Sequence, residues 1–168
     1  MPMGIFTGVS MKRNAFTLVE LIFVIVIIGV LAAIAVPQYR QLQENAQIAN
    51  IVKYYTDILS SARSSYMNEI ELNNVAAANL NVTDLYDFRG RGWVISNNND
   101  TATYTVNIGG QDQTFAVVYD NAGGLTLTTT INANTAAAVA TRIEDKLTDK
   151  TGMVFANHVN TTALTLTE

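Results

Sequence analysis

The chain has 168 residues, no cysteine, one histidine and a formal net charge of −4 at pH 7. That length holds one modest domain with an appendage. The missing cysteines exclude a disulfide framework and a thiolate zinc site. The acidic balance, with no basic cluster after Arg13, gives nucleic acid little electrostatic reason to bind.

Residues 1–15 are a short polar leader ending in the basic pair Lys12 and Arg13. Met11 directly precedes that pair, and "MKRNA" makes a compact basic leader by itself. Translation is therefore expected to start at Met11, with a longer leader from Met1 as the alternative. From Phe16 to Val36 there are 21 residues, of which only Thr17 and Glu20 are distinctly polar. A helix of that length spans about 31 Å, which matches a hydrocarbon core. The preceding positive charges hold the leader in the cytoplasm and send the remainder outward. Gly29 and Pro37 are the two places where this helix can soften or bend. A secretory signal peptide cut after Ala33-Ile34-Ala35 is a rival reading. The apolar block is too long for it, the usual core being about 7–15 residues. A plain single-pass anchor explains the length and leaves Glu20 without a purpose.

The helical pattern continues past Pro37. Ile48, Ile51, Tyr55, Ile58 and Ala62 recur at steps of three and four, the mark of one buried face. No Gly or Pro interrupts Tyr39 to Leu72, so one helix is expected from about Phe16 to about Ile70, roughly 80 Å long. Tyr54, Tyr55 and Tyr66 on it read as core or subunit contacts. Residues 73–92 read as a loop with one helical turn near Asp84 to Phe88.

The period then changes to two. "GWVIS", "ATYTVNI", "QTFAVVYD" and "GLTLTTT" are separated by the turn signals "NNND", "GGQD" and "NAGG". Four antiparallel strands are expected between Trp93 and Thr130, packed on the amphipathic half of the long helix. Ala136, Val139, Ile143 and Leu147 then repeat helically, with Asn134 or Thr135 as cap and Gly152 as stop. "TTALTLT" is a candidate final edge strand. The expected fold class is α+β: a long N-terminal helix on a four-stranded antiparallel sheet, with a C-terminal helix.

Nothing in the sequence assembles into a catalytic set. His158 lies in the polar segment "ANHVNTT" and reads as a solvated surface residue, and no phosphate loop or metal-ligand spacing stands out. Asp100, Asp112 and Asp120 all fall in turns, where carboxylates serve local hydrogen bonds more often than calcium. Glu144, Asp145 and Asp149 share a helix with Arg142, Lys146 and Lys150, the pattern of a solvated, ion-paired face. The tripeptides "NVT", "NDT" and "NTT" match the glycosylation sequon, a frequent coincidence in an Asn- and Thr-rich chain. No enzyme activity, cofactor or metal is expected.

"KRNAFTLVEL", followed by the long apolar block and "AVPQY", resembles the type IV pilin and pseudopilin family. The resemblance covers about residues 12–40. It implies a pilin-like fold in four parts. Residues 1–15 are a leader, 16–36 the transmembrane and filament-core half of the helix, 37–72 its amphipathic half, and 73–168 the α+β head. It further implies cleavage between Ala15 and Phe16 by prepilin peptidase, and methylation of the new Phe16 amine. Glu20 and Phe16 would serve filament assembly. The residue before such a cut is usually Gly, and here it is Ala15. Major pilins commonly close a disulfide, which this chain cannot form, and the Asp-Pro-Trp-Gly-like calcium segment of major pseudopilins is missing.

The implied life history is an inner-membrane precursor, N-terminus cytoplasmic, that becomes a periplasmic or extracellular filament. Its implied partners are copies of itself, the peptidase and an assembly platform. A pseudopilin of a secretion or competence system is the alternative. A membrane-anchored or secreted binding domain that does not polymerise is the alternative from another class.

Overall fold

The computed structural model describes residues 17–167. Its first helix, α1, runs Leu18–Met67, close to the expected span. It ends in a wider turn at Asn68–Leu72, where the Asn73 N–H donates to the Asn68 carbonyl at 3.1 Å. Pro37 lies inside α1. It lacks the N–H that would bond the Ala33 carbonyl, yet the helix continues through it. The chain divides into two compact units, Met1–Gln41 and Leu42–Glu168.

In the second unit the buried face of α1 is Ile48, Ile51, Tyr55, Ile58, Ala62 and Tyr66. The first five are the residues whose spacing predicts them. They join one core with the inner face of a five-stranded antiparallel sheet, to which Tyr104, Phe115, Val117, Tyr119, Leu125 and Leu127 contribute. The sheet order is β1 (Trp93–Ile95), β2 (Thr101–Ile108), β3 (Gln111–Tyr119), β4 (Gly124–Thr130) and β5 (Val159–Thr165). Gly109 and Gly110 close the β2–β3 hairpin with φ of 65° and 82°. Positive φ at both centres gives the turn the twist that matches its strands.

The candidate C-terminal edge strand is present as β5, which adds a fifth strand to the expected four by pairing along the whole of β4, from Gly124 opposite Thr165 to Thr130 opposite Val159. Two expectations need correction. The helix α3 (Ala137–Thr151) begins at Ala136 with no side-chain cap, so neither Asn134 nor Thr135 serves. The buried Gln113 of β3 claims that turn instead. Its Nε2 donates to Thr135 Oγ1 at 3.0 Å, and its Oε1 accepts from the Asn132 N–H at 2.7 Å. The buried stripe of α3 is Ala140, Ile143 and Leu147; of the other expected members Ala136 is exposed and Val139 only half-buried, and Gly152 ends the helix with φ of 74° as expected.

The turn expected near Asp84 to Phe88 comes earlier, as the short helix α2 (Val82–Leu85), which buries Val82 and Leu85. Tyr86 is already extended, and Phe88 instead stacks edge-on to Trp93 with centroids 4.7 Å apart. The Tyr119 hydroxyl donates to the Ala77 carbonyl at 3.0 Å and so ties this connection to the sheet.

A chain truncated to start at Gln43 is expected to be a soluble, folded monomer by sedimentation and circular dichroism. In it, Ile58→Ala should lower the unfolding free energy in urea by about 2–5 kcal/mol, the range for emptying a packed site. Burial pushes the Tyr119 hydroxyl up to about 12, so folding favours its protonated form. That stabilisation is complete below the ordinary tyrosine value of about 10. It is lost as pH rises through 12. Tyr119→Phe should therefore flatten the loss of stability between about pH 10 and 12.

Candidate functional site

Residues 17–41 hold the candidate site. The carboxylate of Glu20 accepts from the Thr17 N–H and from the Thr17 hydroxyl, both at 2.9 Å and both at Oε2. The Glu20 N–H in turn reaches Thr17 Oγ1 at 3.3 Å. This is a reciprocal capping box, which satisfies two of the donors a helix start leaves free. The spacing Thr17-Leu18-Val19-Glu20 before an apolar run is its signature, legible in the sequence and overlooked when Glu20 is read only as a charge awaiting a cation. A negative group also suits the positive end of the helix dipole.

From Leu18 to Val36 the large apolar side chains are exposed all round the helix. The segment is long and apolar enough to cross a membrane. Glu20 is its one charged residue, and Arg40 lies about 30 Å further along the helix. A Cβ added at Gly29 would meet no atom within 4 Å, so no contact inside this chain requires glycine there. Ala15 and Phe16, the expected cleavage and methylation positions, lie outside the described residues.

Elsewhere the titratable groups are held locally. Asp100 accepts from the Ser96 hydroxyl at 2.7 Å. That bond, and then one from Thr101, holds its carboxyl below the usual range. Asp112 accepts from Asn107 at 2.9 Å. Asp120 accepts the Ala122 and Gly124 N–H groups at 2.8 and 2.7 Å. Among the described residues no three His, Asp or Glu side chains gather as a metal cage. His158 is exposed and pairs with Glu144 at 2.7 Å. The expected ion-paired face of α3 is reassigned: Glu144 pairs with His158, and Arg142 with Glu44 of α1. Only Lys150 and Asp149 pair along the helix itself. Tyr55 and Tyr66 are core, and Tyr54 stacks on Trp93 and Tyr104.

Residues 10–36 match the family model described as the prokaryotic N-terminal methylation motif. The chain is 37% identical over 60 residues to a fimbrial protein of Pseudomonas aeruginosa, covering 36% of this chain and 39% of that one. It is 35% identical over 75 residues to a fimbrial protein of Neisseria meningitidis, 44% of each. It is 34% identical over 119 residues to the type IV narrow pilus major component of Thermus thermophilus, 62% of this chain and 95% of the relative. The match thus spans less than half of either fimbrial protein and nearly all of the Thermus protein. No solved structure matches the chain.

Thr17→Ala removes the hydroxyl from the capping box and should cost the first turn about 1 kcal/mol. Hydrogen exchange at the Leu21 and Ile22 amides, measured in detergent micelles, should accelerate about fivefold, while the amides of β3 stay unchanged.

Proposed function

The chain belongs to the type IV pilin family, and on that premise we propose that it is a filament subunit assembled through its apolar helix. Pilins are structural proteins rather than enzymes, and a pilus subunit is the coarse reading that the relatives support. In the finer reading, prepilin peptidase removes residues 1–15 by cutting between Ala15 and Phe16, then methylates the Phe16 amine. The precursor waits in the inner membrane, and an assembly platform moves it into a surface filament made of copies of itself. The likeness to the Thermus relative, a pilus major component, supports a pilus rather than a secretion pseudopilus.

One observation carries this reading. The segment from Leu18 to Val36 is exposed and apolar on every side, with a single carboxylate in its first turn. A helix with no polar face needs lipid or other apolar helices around it. A carboxylate at such a place costs at least a few kcal/mol unless it is partnered. Thr17 uses Oε2 of Glu20, which leaves Oε1 for an amine. The Phe16 amine of a neighbouring copy would fill that role. Two opposite charges in a dry bundle offset their desolvation only when aligned, so Glu20 would reject subunits out of register. Pairing with the amine of its own chain and snorkelling to the headgroups are the competing fates of the carboxylate. Gly29 and Pro37 are the helix positions proposed to give during assembly.

Co-expression with a prepilin peptidase should yield a chain starting at Phe16 and heavier by one methyl. Mass spectrometry that finds the same intact leader with and without the peptidase would refute processing. A bulky residue in place of Ala15 should block the cut. Glu20→Val should leave membrane insertion and the folded head intact and sharply reduce filaments in micrographs. Normal filaments would refute the register role.

A further inference from the structure

The unit Leu42–Glu168 carries a groove of about 200 Å³ lined by Asn45, Ile48, Ala49, Val52, Lys146 and Lys150. The α1 residues give it an apolar floor. Lys146 and Lys150 stand four positions apart on α3, so they share one face and form a positive rim. Lys150 touches the exposed Asp149 at 3.2 Å, an exposed pair that holds it only weakly. Lys146 makes no ion pair among the described residues. The Asn45 Oδ1 is buried without a hydrogen-bond partner. A fitting occupant brings an apolar side chain with carboxylates beside it.

That combination stands at the C-terminal end of the same helix, in the turn Asn68–Leu72. Leu72 is 77% exposed, and Glu69 and Glu71 share its turn. Val154 is just as exposed, but the residues from Gly152 to Asn157 include no acid. Some twenty residues of helix separate Val52 from Leu72, about 30 Å, so a chain cannot fill its own groove. We propose that the groove receives the Glu69–Leu72 turn of a second copy. Leu72 would cover Ile48, Ala49 and Val52, while Glu69 and Glu71 face Lys146 and Lys150. Opposite charges of this kind set register and exclude wrong partners. The contact joins two different surfaces, so every bound copy still offers a free groove and a free turn. Such a contact extends into an open helical array instead of closing a dimer. The inference rests on the filament-subunit reading and adds a head-to-head contact distinct from the apolar segment.

The chain has no cysteine, which permits a clean crosslinking test on filaments of the full-length protein. Ala49→Cys combined with Leu72→Cys should give, on oxidation, a ladder of dimers and higher species that reducing agent collapses. Ala49→Cys combined with Val154→Cys should give none. Intact filaments of the first pair without a ladder overturn this contact and leave the subunit reading standing. Failure of the unaltered chain to form any filament overturns both. Independently, Lys146→Glu with Lys150→Glu should cut filament yield at least about tenfold, and adding Glu69→Lys with Glu71→Lys should restore most of it. Loss without restoration, or no loss at all, overturns the pairing.

Discussion

A single helix must satisfy two surroundings, and the rest of the structure follows from that. Over Leu18–Val36 no direction around α1 is polar apart from the Glu20 turn. Over Ile48–Tyr66 one stripe is buried and the opposite side carries Lys53, Thr56, Ser60 and Arg63. The first stretch can be satisfied only by an apolar environment from outside the chain. The second is satisfied by the chain's own sheet. The stripe's spacing matches the helical repeat over five turns, so the sheet meets a continuous ridge.

The inner side of the sheet is built to receive that ridge with rings as well as aliphatic side chains. Tyr54, Trp93, Tyr104 and Phe115 form a connected aromatic group with centroids 4.9 to 6.1 Å apart. Edge-on and tilted geometries of this kind add stability beyond the area they bury. Gly92 shows how tight the fit is. A Cβ there would come within 2.8 Å of the Thr105 carbonyl and 2.9 Å of the Tyr104 ring, and its φ of 101° already excludes most side chains. The glycine lets the chain enter β1 flat against those rings.

Glu20 caps its own helix and is also the residue on which the proposed assembly role rests. Its bond to the Thr17 N–H starts the helix, and its remaining oxygen faces surroundings that offer no cation from this stretch of the chain. A cap alone would be served as well by glutamine, which accepts the same N–H bond without the charge. The charge is what the proposed assembly role would use, since an unpartnered carboxylate is costly in an apolar setting.

The sequence alone determined the elements whose cause is local. Periodicity marked the long helix and its buried face, alternation and Asn- and Gly-rich turns marked four strands, and Gly152 marked the end of α3, because side-chain spacing and backbone φ act within a few residues. The prepilin-like motif at Lys12 to Glu20 was equally legible, being contiguous. Tertiary structure decided whatever depends on a distant partner. Thr135 lies one residue before the N-cap Ala136, and its hydroxyl accepts from Gln113 of β3 instead of capping α3. Arg142 left its own helix for Glu44. The short helix α2 sits where Val82 and Leu85 find the core, and β5 became a full strand only because β4 offers it an open edge. A hydrogen-bond donor or a sheet edge many residues away leaves no periodic trace in the chain that uses it.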